Sequence, residues 1–280
     1  AGVQINLLVN MVLATGQGSG AVSWLGYAFR IMYLPIGLFG ISIASATLPV
    51  VSRHAARKEF DDIRDVVSRA LRLMLVANVP AMFGLIALAE PIVSLIFERG
   101  NFTAEDSSAT AAALLFYAPG LIGYSAVRIA VPCFYALGNS LVPAYISLAS
   151  VILNVSLNLF LVELMGYRGL ALGTSVTALV NAVTLLAFLQ YRLNGLDLRR
   201  VLLAFTKISA ASTVMAISTW STNEFLSNYW PGPALAVEIL RLSISIVLGI
   251  TVLIAVSRLL RIEEIAQMWQ QLRTRIRRSD

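Results

Sequence analysis

The sequence is poor in charge and almost free of the side chains that build disulfide and metal centres. Of its 280 residues only 13% are charged and 58% are hydrophobic, and the mean hydropathy is +0.79. A water-soluble domain needs a more polar surface than this composition supplies. The single cysteine, Cys133, and the single histidine, His54, exclude a disulfide framework and leave few soft ligands for zinc or iron–sulfur sites. The composition predicts a protein of the lipid bilayer and argues against a metalloenzyme.

Several chemical signatures are also missing. The chain has no Gly-rich phosphate loop ending in Lys-Ser/Thr, no nucleophile beside a base and no paired carboxylates within an apolar run. These absences argue against a primary pump or an intramembrane hydrolase, and we expect no enzymatic activity. The net charge of +6 does not by itself indicate nucleic-acid binding, because basic residues of membrane proteins concentrate on their cytoplasmic side.

Long apolar runs dominate what remains. A spanning helix needs about 20 mainly apolar residues, and seven runs of the sequence are long enough. An eighth run, near 3–14, is shorter. We expect this short run to be the end of a helix that begins upstream. The pattern predicts an all-α polytopic membrane bundle of about eight transmembrane helices. The seven full-length candidates lie near 24–50, 73–97, 109–137, 141–162, 169–190, 201–221 and 234–257.

The basic residues are distributed unequally between the two ends of these spans. Sixteen of the 21 Lys and Arg fall in 53–72, 192–207 or 258–278, which all lie at one end. The opposite end has Arg99, Arg168 and Arg241. The positive-inside bias makes the basic end cytoplasmic and predicts that both ends of the chain are cytoplasmic.

Two connecting segments carry apolar stripes at helical spacing. The connector 53–72 predicts a surface helix that leads into the third span. The tail has a second stripe followed by basic residues, which suits a helix on an anionic leaflet or a docking segment for a partner. The stripes consist of Phe60, Ile63, Val67 and Leu71, and of Ile262, Ile265, Trp269, Leu272 and Ile276.

Two arginines fall inside predicted spans. Arg30 lies within WLGYAFRIMYLPIGLFG (24–40), seven residues or roughly 10 Å from the outer end of its span. A charge at that depth costs about 2.5 kcal/mol or more unless it meets a wet cavity or a partner. Arg128 lies nearer the cytoplasmic end of its span. Either side chain could instead snorkel to the headgroups, but two buried cations without mid-span acids predict that the interior binds an anion.

The fifth and sixth spans each carry a polar stripe. Interhelical hydrogen bonding explains both stripes, and a small-cation site built from side-chain oxygens is the alternative. The stripes are Ser147, Ser150, Asn154 and Asn158, and Thr174, Thr177, Asn181 and Thr184.

Three segments of the chain carry a family resemblance. The most specific is LAEPIVSLIFERGNFTAEDS (88–107), and the other two are YAFRIMYLPIGLFGISIASATLPVVSRHA (27–55) and RIAVPCFYALGNSLVP (128–143). In the same order, they resemble segments of the MurJ/MviN family, the lipid II flippases of the multidrug/oligosaccharidyl-lipid/polysaccharide exporter superfamily.

The resemblance implies a fourteen-helix protein of two lobes around a central cavity. This chain would correspond to its last eight helices and lack the first lobe. Residues 1–192 would form the second-lobe bundle, 193–260 two further spans with a groove for the lipid tail, and 261–280 a basic amphipathic tail.

Arg30 matches the family's cavity arginine, which is thought to contact the pyrophosphate of the substrate, and Arg128 is the second substrate-binding candidate. Some members carry an acid three positions after the cavity arginine that Arg30 matches. This chain has Tyr33 at that position. A sodium site described for some members would use Asn154, Asn158 and Thr174. Asn158 replaces an aspartate that relatives can use, and the first span has no acid.

The implied function is the flipping of lipid II, the undecaprenyl-pyrophosphate-linked cell-wall precursor, across the bacterial inner membrane by alternating access. Its partners would be lipid II, membrane lipids and the missing first lobe, without nucleic acid and with no cofactor other than sodium. The alternatives are export of another lipid-linked saccharide or a non-transporting scaffold for cell-wall machinery. A cationic-drug antiporter would need an acid in its cavity, and the spans carry none near their middles.

Overall fold

The computed structural model of the chain describes residues 2–232 and 235–262, and this part is almost entirely α-helical. The predicted amphipathic tail beyond Ile262 lies outside these residues. A five-residue π-helical segment, Ile36–Gly40, joins α2 to α3. The helices are α1 (Gly2–Thr15), α2 (Ala21–Pro35), α3 (Ile41–Arg57), α4 (Phe60–Ala87), α5 (Ala89–Phe97), α6 (Ala104–Tyr117), α7 (Gly120–Ala136), α8 (Leu141–Met165), α9 (Tyr167–Arg192), α10 (Leu198–Tyr229) and α11 (Leu235–Leu259).

Six stretches of the described residues are long and apolar enough to cross a membrane, and α6 with α7 forms a seventh if the bent pair counts as one span. The prediction of an all-α polytopic membrane bundle is confirmed. The short first run is α1, which has 14 residues. The six stretches are Ala21–Arg57, Phe60–Ala87, Leu141–Met165, Tyr167–Arg192, Leu198–Tyr229 and Leu235–Leu259.

Two predicted spans are broken rather than straight. The predicted span 73–97 ends as α4 at Ala87, and a separate short helix, α5, follows Leu88. The predicted span 109–137 is α6 and α7, bent by 48°. Pro119 at this bend lacks an N–H, and the Ser175 hydroxyl donates to the Phe116 carbonyl at 2.7 Å. A side chain of α9 thus satisfies a backbone group close to the break.

The connector between α3 and α4 differs from its prediction. It contains a tight turn, and α4 runs without interruption from Phe60 into the membrane span. Ile63, Val67 and Leu71 are fully buried in the helix bundle. Phe60, the fourth residue of the predicted stripe, is exposed. The assignment as a surface helix is wrong because the other three residues pack against neighbouring helices.

The interior consists of two apolar clusters, one at each end of the bundle. The cluster at the basic end joins residues of α3, α4, α7, α9 and α10 around Phe134 and Leu185. The cluster at the opposite end joins α1, α2, α5, α6 and the start of α9 around Met32 and Leu114. Phe83 packs against both clusters. Large apolar residues also cover much of the exterior, as expected for helices in lipid; examples are Ile152, Phe160, Leu202, Val247 and Ile250.

Candidate functional site

Arg30 lies on an exposed face of α2, deep within an apolar helix. It is nine residues after the first residue of α2, about 14 Å along the helix axis. Its guanidinium carbon is 5.6 Å from the ring centroid of Tyr27, one turn earlier. No carboxylate of the described residues forms an ion pair with it. The side chain thus presents an unneutralised positive charge beside an aromatic face.

Arg128 reaches the same face of α2 from the neighbouring helix α7. Its Nη2 donates to the hydroxyl of Tyr33, and its guanidinium carbon is 5.4 Å from the centroid of that ring. Tyr27, Arg30 and Tyr33 are spaced three residues apart, so they share one side of α2. We call this side, with Arg128 against it, the arginine ridge.

Stacked aromatic rings support the ridge from within the bundle. The Phe29 ring is 5.7 Å from Tyr33, 5.6 Å from Tyr117 and 6.1 Å from Tyr124. Tyr27 packs on Phe97 at 4.5 Å. These contacts restrain the rings that position both guanidinium groups.

A crevice of 460 Å³ opens beside Arg128 between α3 and α7. Most of its lining is apolar, and Tyr33, Ser45, Tyr124 and Arg128 supply its polar groups. A hydrocarbon chain fits such walls, and a negative group fits the guanidinium at its edge.

A larger groove of 920 Å³ separates α5 and α6 from α10 and α11. Ile86, Leu115, Ile217 and Trp220 form apolar parts of its wall. Its polar lining includes Glu90, Glu98, Glu224, Glu238 and Arg241. The groove borders the two C-terminal helices, and the assignment of these helices to a lipid-tail groove stays a prediction.

The two polar stripes meet in a buried cluster that also includes α1. Asn10 donates to Thr174 Oγ1 at 2.9 Å, and Asn158 donates to the side-chain oxygen of Asn10 and, at 3.0 Å, to that of Asn154. Asn154 donates to Thr177 Oγ1 at 3.4 Å. All five residues are buried, so the cluster links three helices by hydrogen bonds.

The donors in this cluster occupy the oxygens that a sodium ion would need. The side-chain oxygens of Asn10, Asn154 and Thr174 each accept a hydrogen bond, and Asn158 Oδ1 is buried without a partner. That oxygen lies against Gly173 of α9. A hard cation binds several oxygens, so the arrangement fits interhelical hydrogen bonding better than a cation site. Sodium binding at Asn154, Asn158 and Thr174 stays a prediction.

Sequence reasoning missed Asn10 and the bond between Arg128 and Tyr33. An amide side chain in a short apolar helix was the available signal for Asn10, because such a group needs a partner in lipid. The Arg128–Tyr33 bond joins residues on separate helices. Only the packing of α7 against the α2–α3 stretch reveals it.

Comparisons with known proteins agree with this architecture. The family profile described as "Lipid II flippase MurJ" matches residues 1–240. A probable lipid II flippase MurJ of Rickettsia prowazekii is 30% identical over 260 residues, which are 92% of this chain and 51% of that protein. One of Bdellovibrio bacteriovorus is 31% identical over 266 residues, 95% of this chain and 50% of that protein. The chain thus spans about half the length of these relatives.

Solved structures show the same relationship. A structure titled "Lipid II flippase MurJ, inward closed conformation" matches with a TM-score of 0.76 and 27% identity, over 94% of this chain and 52% of that chain. An outward-facing multidrug resistance transporter of the MATE family matches with a TM-score of 0.56 and 14% identity, over 95% of this chain and 64% of that one. The second likeness shows the fold alone.

Proposed function

We propose, because this chain belongs to the lipid II flippase MurJ family, that it supplies one lobe and the two C-terminal helices of a transporter for lipid II. The relatives are about twice as long. In this proposal a second lobe faces the arginine ridge and closes a central cavity around it. The head of the substrate crosses the membrane through this cavity, and no covalent bond is broken.

The arginine ridge is the observation that carries the proposal. A pyrophosphate loses its hydration when it leaves water, and guanidinium groups compensate with charge-assisted hydrogen bonds. Arg30 has no carboxylate partner among the described residues, and Arg128 is held by a neutral hydroxyl. Both charges therefore remain available to an anion.

The apolar surfaces suit the other part of the substrate. Lipid II carries a prenyl tail, which stays in contact with hydrocarbon while the head crosses. We assign the tail to the groove beside α10 and α11, whose wall includes Ile217 and Trp220. Rocking of the two lobes then exposes the head alternately to each side.

The distribution of basic residues gives the orientation of the bundle in the membrane. We place the basic end of the bundle, which includes the α3–α4 turn and the segment between α9 and α10, on the cytoplasmic side of the bacterial inner membrane. Both ends of this chain are then cytoplasmic. The positively charged ridge would receive the lipid head from that side.

Lipid II flipping is tested with a chimaera in which this chain replaces the matching half of the Bdellovibrio bacteriovorus relative. Reconstituted vesicles containing fluorescent lipid II report translocation. We expect Arg30→Ala to slow translocation by about tenfold or more, because loss of a charged hydrogen bond costs about 1.5–3 kcal/mol. Arg30→Lys should be intermediate, since it keeps the charge without the planar fork.

Arg168→Ala is the matched control, because Arg168 is an exposed arginine at the start of α9, away from the ridge. It should leave the rate within about twofold, as expected for a solvent-exposed charge. Equal rates for Arg30→Ala and the unmodified chimaera would contradict the role of the ridge. A panel with other polyprenyl-pyrophosphate saccharides then distinguishes lipid II transport from export of a related lipid-linked saccharide.

A further inference from the structure

The turn between α3 and α4 brings together three side chains that can ligate metal ions. His54 Nδ1 is 2.7 Å from Glu59 Oε2 and 3.9 Å from Asp62 Oδ2. One ligand atom from each of the three residues lies within 4.8 Å of the others. The cluster is at the basic end of the bundle, distant in sequence from the arginine ridge, and has no part in the proposed transport step.

The backbone of the turn fixes this arrangement. Lys58 adopts the left-handed conformation with φ 58°. Its N–H bonds to the Ala55 carbonyl at 3.1 Å, and the Glu59 N–H bonds to the His54 carbonyl at 3.0 Å. This pair of bonds is the Schellman motif that ends a helix. It returns Glu59 to the turn that carries His54, and Asp62 follows in the first turn of α4.

We propose that His54, Glu59 and Asp62 bind a divalent first-row transition-metal ion, with Zn²⁺ as the representative. Zinc bonds of about 2.0–2.2 Å to nitrogen and oxygen place tetrahedral ligands roughly 3.4 Å apart. The two measured separations lie on either side of that value. One imidazole with two carboxylates favours a transition metal over Mg²⁺ or Ca²⁺, which prefer oxygen ligands alone.

Charge and access support the site. Two carboxylates neutralise a divalent ion, and a third, Asp65, lines the same 550 Å³ cavity as His54 and Asp62, where it offsets the charge of Arg69 on that wall. Asp61 is already paired with Arg64 at 2.5 Å and does not compete for the ion. The stretch Ala21–Arg57 has 37 residues, about 55 Å of helix, whereas the hydrocarbon layer is about 30 Å thick. The stretch is therefore longer than the hydrocarbon layer, and His54, three residues before its end, is partly exposed.

The scarcity of Cys and His argues against thiolate or multi-histidine sites but not against this ligand set. A simpler explanation of the His54–Glu59–Asp62 cluster is a hydrogen bond between His54 and Glu59, with the acids near the start of α4 stabilised by the helix dipole. That explanation predicts no metal affinity. The two explanations therefore give opposite results in a direct binding experiment.

His54 is the only histidine of the chain, which makes its chemical modification an unambiguous probe. The full chain is purified in detergent with an affinity tag free of histidine, and diethyl pyrocarbonate modification of His54 is followed with and without Zn²⁺. We expect saturating Zn²⁺ to slow modification by at least about tenfold, since ligation takes up the lone pair of one ring nitrogen and holds the other as N–H, which has no lone pair to react. We also expect equilibrium dialysis to give one ion per chain.

Glu59→Gln and Asp62→Asn should each weaken Zn²⁺ binding by about tenfold or more, because each removes a charged ligand but keeps the side-chain shape. Glu163→Gln, at an exposed position near the end of α8, is the matched control and should bind as the unmodified chain does. Modification at the same rate with and without Zn²⁺ would overturn the proposal, as would unchanged binding in both ligand variants. The unmodified chain alone decides the first outcome, so the test does not depend on variant folding or on transport.

Discussion

At the scale of single residues, Tyr33 determines what Arg128 can offer a substrate. A carboxylate at this position would cancel a guanidinium charge, whereas the Tyr33 hydroxyl accepts a hydrogen bond and leaves that charge intact. An arginine inside an apolar helix costs about 2.5–3.5 kcal/mol. A neutral partner lowers this cost while preserving attraction for an anion, so the departure from an acid is compatible with a phosphate-binding ridge.

Asn158 provides a residue-scale prediction about the polar cluster. We expect Asn158→Leu to lower the free energy of unfolding by about 2 kcal/mol or more, because the side-chain oxygens of Asn10 and Asn154 lose their donors in a buried site. Thermal unfolding in detergent, followed by helical ellipticity, measures the change. Repeating the melts in equal concentrations of Na⁺ and K⁺ tests the sodium prediction in the same samples.

Asn181→Leu is the control for that substitution. Asn181 is half-buried on the polar stripe of α9, which faces the stripe of α8 that carries Asn158. Its buried Oδ1 has no hydrogen-bond partner among the described residues. Its replacement should be neutral or stabilising. Equal stability in Na⁺ and K⁺ is the expected result for a hydrogen-bonded cluster. A sodium-specific stabilisation that disappears in Asn158→Leu would instead establish a cation site.

The sequence predicts a site residue well when its pattern lies within one helix, and poorly when its partner lies on another helix. Spacing along α8 identified Asn154 and Asn158, because residues on one face of a helix are readable from their intervals. The sequence also singled out Arg30, since a charge in an apolar run is visible without a structure. The Asn10–Thr174 bond joins residues 164 positions apart, and no local pattern encodes such a contact.

At the scale of helices, small residues allow α7 to approach α9 closely. A Cβ on Gly123 would lie 2.5 Å from the backbone carbonyl carbon of Ala178, and one on Gly120 would lie 2.8 Å from Ser175 Oγ. Because Ser175 also donates to the Phe116 carbonyl near the α6–α7 bend, this contact both packs α9 and supports the broken helix. Membrane helices commonly associate through such small residues.

Gly123→Ala should therefore destabilise the bundle by about 1–3 kcal/mol, since the new methyl group meets backbone that cannot move aside without separating the helices. Detergent melts report the change in unfolding temperature. Gly26→Ala is the matched control, because a Cβ on Gly26 of α2 meets nothing within 4 Å. It should stabilise by about 0.5–1 kcal/mol through helix propensity. A Gly123→Ala protein as stable as Gly26→Ala would contradict the close-packing account.

Helix breaks were the least predictable feature at this scale. Hydropathy located the apolar runs because the bilayer requires a minimum length. It did not separate α4 from α5 at Leu88 or predict the 48° bend between α6 and α7. At the second of these, Ser175 of α9 donates to the Phe116 carbonyl, and a local hydropathy pattern does not reveal such a tertiary partner. The prediction of a surface helix in the α3–α4 connector was wrong for a related reason. An amphipathic stripe has the same sequence pattern whether lipid or another helix covers it.

At the scale of the whole molecule, each of the two apolar clusters stabilises one end of the bundle. The cluster at the basic end includes Ile262, which is 4% exposed and lies just beyond α11. The opposite cluster anchors the segments that precede and support the arginine ridge, including Met32 and Tyr117. A truncation after Ile262 therefore keeps every described residue of both clusters.

Removal of residues 263–280 tests whether the molecule acts as a transporter or as a scaffold. In the chimaera with the Bdellovibrio bacteriovorus relative, we expect this truncation to keep at least about half of the lipid II translocation rate, because the ridge and the described residues of both clusters remain. The tail would contribute chiefly membrane anchoring, worth about 1 kcal/mol per basic residue near an anionic surface. The same truncation combined with Arg30→Ala should be as slow as Arg30→Ala alone. A growth-complementation assay with the same variants tests the alternative. A scaffold would lose growth on truncation and keep full growth with Arg30→Ala, which would contradict the transport proposal.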